Sequence, residues 1–200
     1  MARKTPKMAA AIELSQQELG QLLAYGPDSG LLRWREKPLL GLPTDRSVKA
    51  WNSRFAGGVA GTRKQSSGKE YIQVNIKGRF YPCHRVIWVM VHGSIDQALE
   101  IDHINGDGLN NRLVNLRLVS HQDNQKNLSR RSDNQTGVCG VSWDEGRSRW
   151  VVRGHVAGKQ KNLGRFENFE SAVAARQRHQ MSNGYHHLHG MDRGKKAASV

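Results

Sequence analysis

Residues 100–127 read "EIDHINGDGLNNRLVNLRLVSHQDNQKN". Their order of polar and apolar residues decides how the chain is read. The end of "LEID" alternates as a short strand and runs into a loop of Gly, Asn and Asp, residue types that form turns through their own side chains. "NLRLVS" is a second strand. "SHQDNQKNL" has a helix-start signature, with Ser120 as N-cap and Asp123 three residues on, where a carboxylate suits the helix N-terminus. The plan is strand, polar loop, strand, helix, and an acid and a histidine, Asp102 and His103, stand at its first corner. A strand and a helix packed back to back let Asp102 and a residue of the first helical turns converge on one ion. Asp and Asn offer hard oxygen ligands, which suit one Mg²⁺ or Mn²⁺ rather than zinc. Neighbours on a strand face opposite ways, so His103 does not share that ion and is suited instead to activating a water.

Composition agrees with an anionic partner. The chain has 200 residues and 31 Lys/Arg against 17 Asp/Glu, a net charge of +14, with an isoelectric point near 10.3 and a mean hydropathy of −0.67. Such an excess points to nucleic acid first and an anionic membrane second. No apolar run is long enough to span a bilayer, and the basic start "MARKTPKMAAAIEL" lacks the apolar stretch of a signal peptide. The expected setting is therefore the cytoplasm. Cys83 and Cys139 are far apart and no CxxC pair exists, which excludes a four-cysteine zinc site and predicts two buried free thiols.

Upstream, residues 1–14 read as a basic arm. "SQQELGQLLAY" predicts a helix with Ser15 and Glu18 at capping-box spacing, and "YGPDSGLLRW" a turn between extended segments. Residues 41–69 are rich in Gly, Ser, Lys and Arg and read as a long, partly ordered loop. "YIQVNIKGRFYPC" alternates, with Lys77-Gly78 as a hairpin turn, and "HRVIWVMVHG" reads as a buried helix ending at Gly93. Downstream, 129–135 is a polar linker. "GVCGVSW", "SRWVVRGHV" and "QKNLGRF" predict three strands, and "NFESAVAARQRHQM" a helix burying Ala172, Val173 and Ala175. Residues 183–200 read as a flexible tail whose "HHLH" is a weaker metal candidate. Residues 126–200 carry 14 Lys/Arg against 6 Asp/Glu. On the middle strand, Arg149, Arg153 and His155 alternate with Trp150, Val152 and Val156. One face is thereby basic and open, as in small sheets that lie in the DNA major groove.

The stretch from Asp102 to Asn124 resembles the HNH nucleases of the ββα-metal class. "DH", the Asn of "NLRLV" and a helical Asn match the three letters, and "YGPDSGLLRW", "WNSRFAGGVAGT" and "CHRVIW" resemble the leader of phage-type members. The resemblance implies a nuclease domain over 15–128, with His103 as general base, Asp102 and Asn124 as metal ligands, and Asn115 locking the loop. The last letter is Asn rather than His, typical of homing and phage enzymes, and His121 remains a rival ligand one turn earlier. Asn105, Asn110 and Asn111 are read as turn-formers, Arg112 and Arg117 as phosphate contacts, and His84-Arg85 as packing or phosphate contact.

"GVSWDEGRSRWVVRGHVAGKQKNLGRFENFESAVAAR" resembles the plant Apetala-2/ERF domain, a three-stranded antiparallel sheet plus one helix, here over 136–182. That resemblance implies DNA contact through Ser142, Arg149, Arg153, His155 and Asn162, with Arg147, Lys159 and Lys161 on phosphate. Arg153 stands where plant members carry Glu, so their base preference does not transfer. The combined expectation is an α+β chain: a monomeric, metal-dependent endonuclease of homing or phage type. It would nick double-stranded DNA in an infected host cell without a small-molecule cofactor. A non-catalytic sequence-specific regulator is the alternative. An RNA-binding protein is disfavoured by 6% aromatic residues.

Overall fold

The computed structural model describes residues 12–66, 69–128, 130, 133–187 and 189–191. Most of the expected basic arm, parts of the linker, Leu188 of "HHLH" and the last nine residues lie outside these. The chain forms two compact units, Met1–Leu118 and Val119–Val200, so the division falls ten residues before the expected boundary at 128.

In the first unit, α1 (Gln16–Leu22) starts on the expected capping box. Ser15 Oγ accepts the Glu18 N–H, and the Glu18 carboxylate accepts the Ser15 N–H at 2.9 Å. These bonds hold the Glu18 carboxyl below its usual range. Strands β1 (Leu23–Gly26) and β2 (Leu31–Trp34) form an antiparallel hairpin. Strands β3 (Thr62–Ser66), β4 (Lys69–Ile76) and β5 (Arg79–Pro82) form an antiparallel sheet in that order. Its β4–β5 turn has Lys77 at φ 51° and Gly78 at φ 83°, the left-handed pair a two-residue hairpin requires. Helix α3 (Cys83–His92) follows. Leu19, Leu23, Val74, Val86 and Ile87 are fully enclosed where α1, α3 and β4 meet, and Gln16 ties α1 to the Met90 carbonyl at 2.8 Å.

Residues 41–69 are not one long loop. They hold α2 (Asp45–Phe55) and β3. The Asp45 carboxylate accepts the N–H groups of Leu40 and Gly41, and the Asn52 amide exchanges two bonds with the Lys37 backbone. These anchors lie outside the helix. Every described β3 side chain is exposed, which leaves no alternation to read.

Strands β6 (Leu99–His103) and β7 (Leu116–Ser120) form a two-stranded sheet, with β7 running across the division between units. Helix α4 (His121–Gln125) opens the second unit, and its Ser120 cap accepts the Asp123 N–H at 3.1 Å.

The second unit then builds an antiparallel sheet in the order β10 (Lys159–Phe166), β9 (Arg149–Val156), β8 (Val141–Asp144), with α5 (Phe169–Ser182) packed on one side. The expected strand at 137–143 begins only at Val141. Val141, Val152 and Ala172 form the small core. Of the three residues expected on or near the buried face of α5, Ala172 is buried and Val173 and Ala175 are half-buried, while Arg176 and His179 are buried as well. The Arg176 Nε donates to the Cys139 carbonyl at 2.8 Å and the guanidinium lies over Tyr185, so the arginine stem fills space that small alanines leave. The stretch expected as a flexible tail makes ordered contacts as far as Met191. The His186 and Gly190 N–H groups donate to Lys126 and Leu128 carbonyls, and Met191 accepts from Arg130.

Candidate active site

Strand β6 ends at His103, and the loop that follows is assembled from asparagine and aspartate side chains. Asn105 Oδ1 accepts the Asp107 N–H at 2.9 Å, and Asp107 Oδ1 accepts the Leu109 N–H at 3.0 Å. Asn115 closes the loop from its far end. Its Oδ1 accepts the Asn105 N–H, its Nδ2 donates to the Asn110 carbonyl at 2.8 Å, and its backbone carbonyl accepts the Ile104 N–H. The Tyr25 hydroxyl donates to the Asn111 carbonyl and accepts the Leu113 N–H, which fixes the loop to β1. Gly108 lies where a Cβ would sit 2.3 Å from the Glu70 carbonyl and 2.6 Å from the Tyr71 ring. Any side chain there would push the loop off β4.

This scaffold holds His103 almost completely buried, at 5% exposure. Its Nε2 stands 2.9 Å from Asn111 Oδ1. An amide oxygen only accepts, so Nε2 carries the hydrogen in this pairing. Burial drives the His103 pKa below its usual value, while the Asn111 bond and the Asp102 and Asp107 carboxylates oppose the shift. The imidazole is therefore neutral near pH 7, the form that takes a proton. The His84 ring meets His103 edge-on, 5.0 Å between centroids, with Tyr71 beside both. His84 Nδ1 is enclosed without a hydrogen-bond partner, and burial lowers its pKa to about 3. Two neutral rings thus back the site.

Asn111 is the residue sequence reading missed. Its sequence context predicts a turn-former, yet it is 1% exposed and its side-chain oxygen meets the histidine. The signal was weak: one of two adjacent asparagines, with nothing local to separate them. Asn110 does the turn work, its Oδ1 3.4 Å from the Arg112 N–H.

The two arginines expected on phosphate have protein partners. Arg117 donates through Nε and Nη2 to Asp102 Oδ2 at 3.1 and 2.9 Å. Arg112 Nε donates to the Asp28 carbonyl. Asn124 and the rival His121 both lie on α4, in the second unit. Among the described residues no group of three or more His, Cys, Asp or Glu forms a metal cluster. The Asp102 carboxylate is a hard oxygen donor of the kind a divalent cation takes. Cys83 is buried and its thiol is pushed up to about 12, so it is inert; Cys139 is half-buried, against the expectation of two buried thiols.

The β8–β10 sheet sorts the remaining candidates. Arg153 pairs with Asn162 across the strands, His155 with Gln160, Val151 with Ser142 and Arg165, and Arg149 with Asp144. Cross-strand partners share a face. Ser142, Arg149, Arg153, His155 and Asn162 therefore occupy the face away from α5, joined by Arg165, which the sequence did not single out. Lys159 and Lys161 pair with Val156 and Gly154, so they belong by register to the helix side, exposed at its edge. Arg147 sits in the β8–β9 turn, 3.4 Å from Asp144, and Arg149 is bound to Glu167.

Residues 81–126 match the family model of HNH endonucleases. The window runs from β5 through α4 and contains His84, Asp102, His103, Asn111, Asn115 and Asn124. The chain is also similar to Protein 3.8 of Escherichia phage T7, 40% identical over 80 residues, which is 40% of this chain and 66% of that relative. The chain thus spans just under two thirds of the phage protein's length. No solved structure matches it significantly. These comparisons give no support to an Apetala-2-like domain at 136–182. No described helix is long and apolar enough to cross a membrane.

Proposed function

We propose that this protein is a metal-dependent DNA endonuclease that nicks one strand, with the open face of the second unit holding the duplex. The observation that carries this reading is His103, buried, neutral and hydrogen-bonded to Asn111 beside Asp102, inside the segment that matches HNH endonucleases. The neutral His103 ring would take a proton from water. The water oxygen attacks phosphorus as the bond to the 3′ oxygen breaks. Asn115 keeps the loop closed and so fixes where His103 stands. Asp102 would hold one Mg²⁺ or Mn²⁺, which would supply positive charge to the transition state and the leaving oxygen. Arg117 lies on Asp102 as a counter-charge.

Arg149, Arg153, His155, Asn162, Ser142 and Arg165 would face the groove, with Arg147, Lys159 and Lys161 at the margins on phosphate. Contacts of the second kind position the duplex and those of the first select sequence. The Apetala-2-like reading of this module rests on its residue pattern and its basic face. One catalytic set per chain fits a monomer that nicks, in the manner of phage homing enzymes working in the host cytoplasm. The test is conversion of supercoiled plasmid to open circles, which should require the divalent ion and vanish in His103→Ala while DNA binding persists. Binding without any nicking by the parental protein would favour the regulator instead.

A further inference from the structure

Helix α2 poses a question that the nuclease reading does not answer. None of its residues is buried, yet it carries Trp51 and Phe55. Trp51 packs edge-on against Trp34 of β2, 5.7 Å between centroids, and Phe55 lies 5.4 Å from Trp51. Together these rings wall a cavity of roughly 330 Å³ lined also by Arg35, Lys37 and Lys77. That volume is at the small end of ligand sites. The helix is held over it by fixed tethers, the two Asn52–Lys37 backbone bonds at 2.9 Å and the Asp45 bonds to Leu40 and Gly41. Aromatic walls therefore stay open to solvent on a rigid mount.

The charge around the opening is one-sided. Residues 33–56 carry six Lys/Arg and two Asp/Glu. Lys37 Nζ lies over the Trp51 ring at 3.9 Å, on the face a flat ligand would take. Arg35 lines the cavity and donates its Nε to the Leu23 carbonyl. Lys77 is tied loosely to Glu18 at 3.7 Å. A planar group with an anion attached satisfies every part: the plane takes the Trp51 face that Lys37 now covers, and the anion draws Lys37 off the ring.

We infer that this cavity receives an unpaired nucleobase, with its phosphate on Lys37 and Arg35. The base arrives either from single-stranded DNA or by extrusion from a duplex. The ligand chemistry is the same, and the site is separate from the His103 loop. A hydrophobic peptide would use the rings but not the cations.

The test uses the full chain without divalent metal, so it reads binding alone. An oligothymidylate of about ten nucleotides, a fully paired duplex and the same duplex with one mismatch are titrated against parental protein, Trp51→Ala, Trp51→Phe and Lys37→Gln. Melting curves check that each variant folds. The expected result for Trp51→Ala is about a tenfold loss of affinity for the oligothymidylate with paired-duplex binding unchanged. Trp51→Phe should recover most of the affinity, and Lys37→Gln should flatten its salt dependence. Equal loss on the mismatched duplex assigns the base to extrusion, and loss on the single strand alone assigns it to unpaired DNA. Parental affinity in Trp51→Ala overturns the inference, as does a Trp51→Phe variant as weak as Trp51→Ala. The titration omits metal and reads binding alone, so a parental protein that never nicks plasmid would sink the nuclease reading and leave this one standing.

Discussion

Replacing Asn111 by Leu tests the His103 arrangement without touching a ligand or a proposed base. The volumes are similar, so the change is chiefly loss of the amide. Asn111 is 1% exposed and His103 5%, so water does not readily replace the lost acceptor. A buried donor left without a partner costs about 1–3 kcal/mol. Part of this is offset, because Asn111 Nδ2 has no hydrogen-bond partner in the native loop and Leu removes that orphan. The net loss of stability should lie near the lower end, about 1 kcal/mol, a fall of roughly 4 °C in melting temperature. The effect on rate should be larger. A positioned general base contributes about 10²–10⁴-fold, and a ring released from Asn111 loses both orientation and tautomer. Plasmid nicking by Asn111→Leu should drop about 100-fold in kcat with little change in KM. Asn111→Asp retains an acceptor, so it should keep most of the rate. Its carboxylate also favours the protonated ring, so the acid limb of the pH–rate profile should move to higher pH. The profile falls on the acid side because a base must be unprotonated, and burial sets that limb below the usual histidine value. A parental kcat in Asn111→Leu, with an unmoved profile in Asn111→Asp, would refute this reasoning.

His84 should make stability sensitive to acid. Its pKa is lowered by burial to about 3 in the folded protein, against about 6.5 unfolded, so the unfolded chain binds the extra proton first as pH falls. The contribution is intact above about pH 6.5 and is lost on the way to about pH 3; by about pH 5 the loss reaches up to about 2 kcal/mol. Denaturant melts of His84→Leu should show a correspondingly smaller drop between neutral pH and about pH 5, and an unchanged drop would remove His84 as the cause. Gly108→Ala should destabilise by about 1–3 kcal/mol and depress nicking, because its Cβ meets Glu70 backbone; a parental melting curve would show that the loop has room to shift. Arg153→Ala and Arg165→Ala should each weaken duplex binding or relax site choice without abolishing nicking of nonspecific DNA. Unchanged affinity and an unchanged cleavage pattern in gel-shift and nicking assays would take the sheet face out of recognition.

The elements that could be read in advance are those written in local chemistry. Ser15 with Glu18, Lys77 with Gly78, Gly93 and Ser120 each announce a boundary within a few residues. Helix α2 and strand β3 could not be read, since their stabilising partners are distant and their faces are polar. The same division holds in the candidate site. Asp102, His103 and Asn115 stand in a recognisable spacing, whereas Asn111 differs from Asn110 only in which way a turn points it. Arg117 gave no sign that it would meet Asp102 rather than solvent, because the two lie 15 residues apart on separate strands. Arg165 was hidden by the irregular register between Asn162 and Gly164, which shifts the alternation of β10. Arg176 was hidden because a buried arginine has no sequence signature apart from its partners, here a carbonyl and a tyrosine ring.

The central claim is tested most directly by incubating supercoiled plasmid with parental protein and with His103→Ala, each with Mg²⁺ and with chelator. Open-circle product from the parental protein with Mg²⁺ alone, none from His103→Ala, and equal DNA binding by both is the predicted result. Open circles from His103→Ala at the parental rate, or from either protein in chelator, would contradict the account.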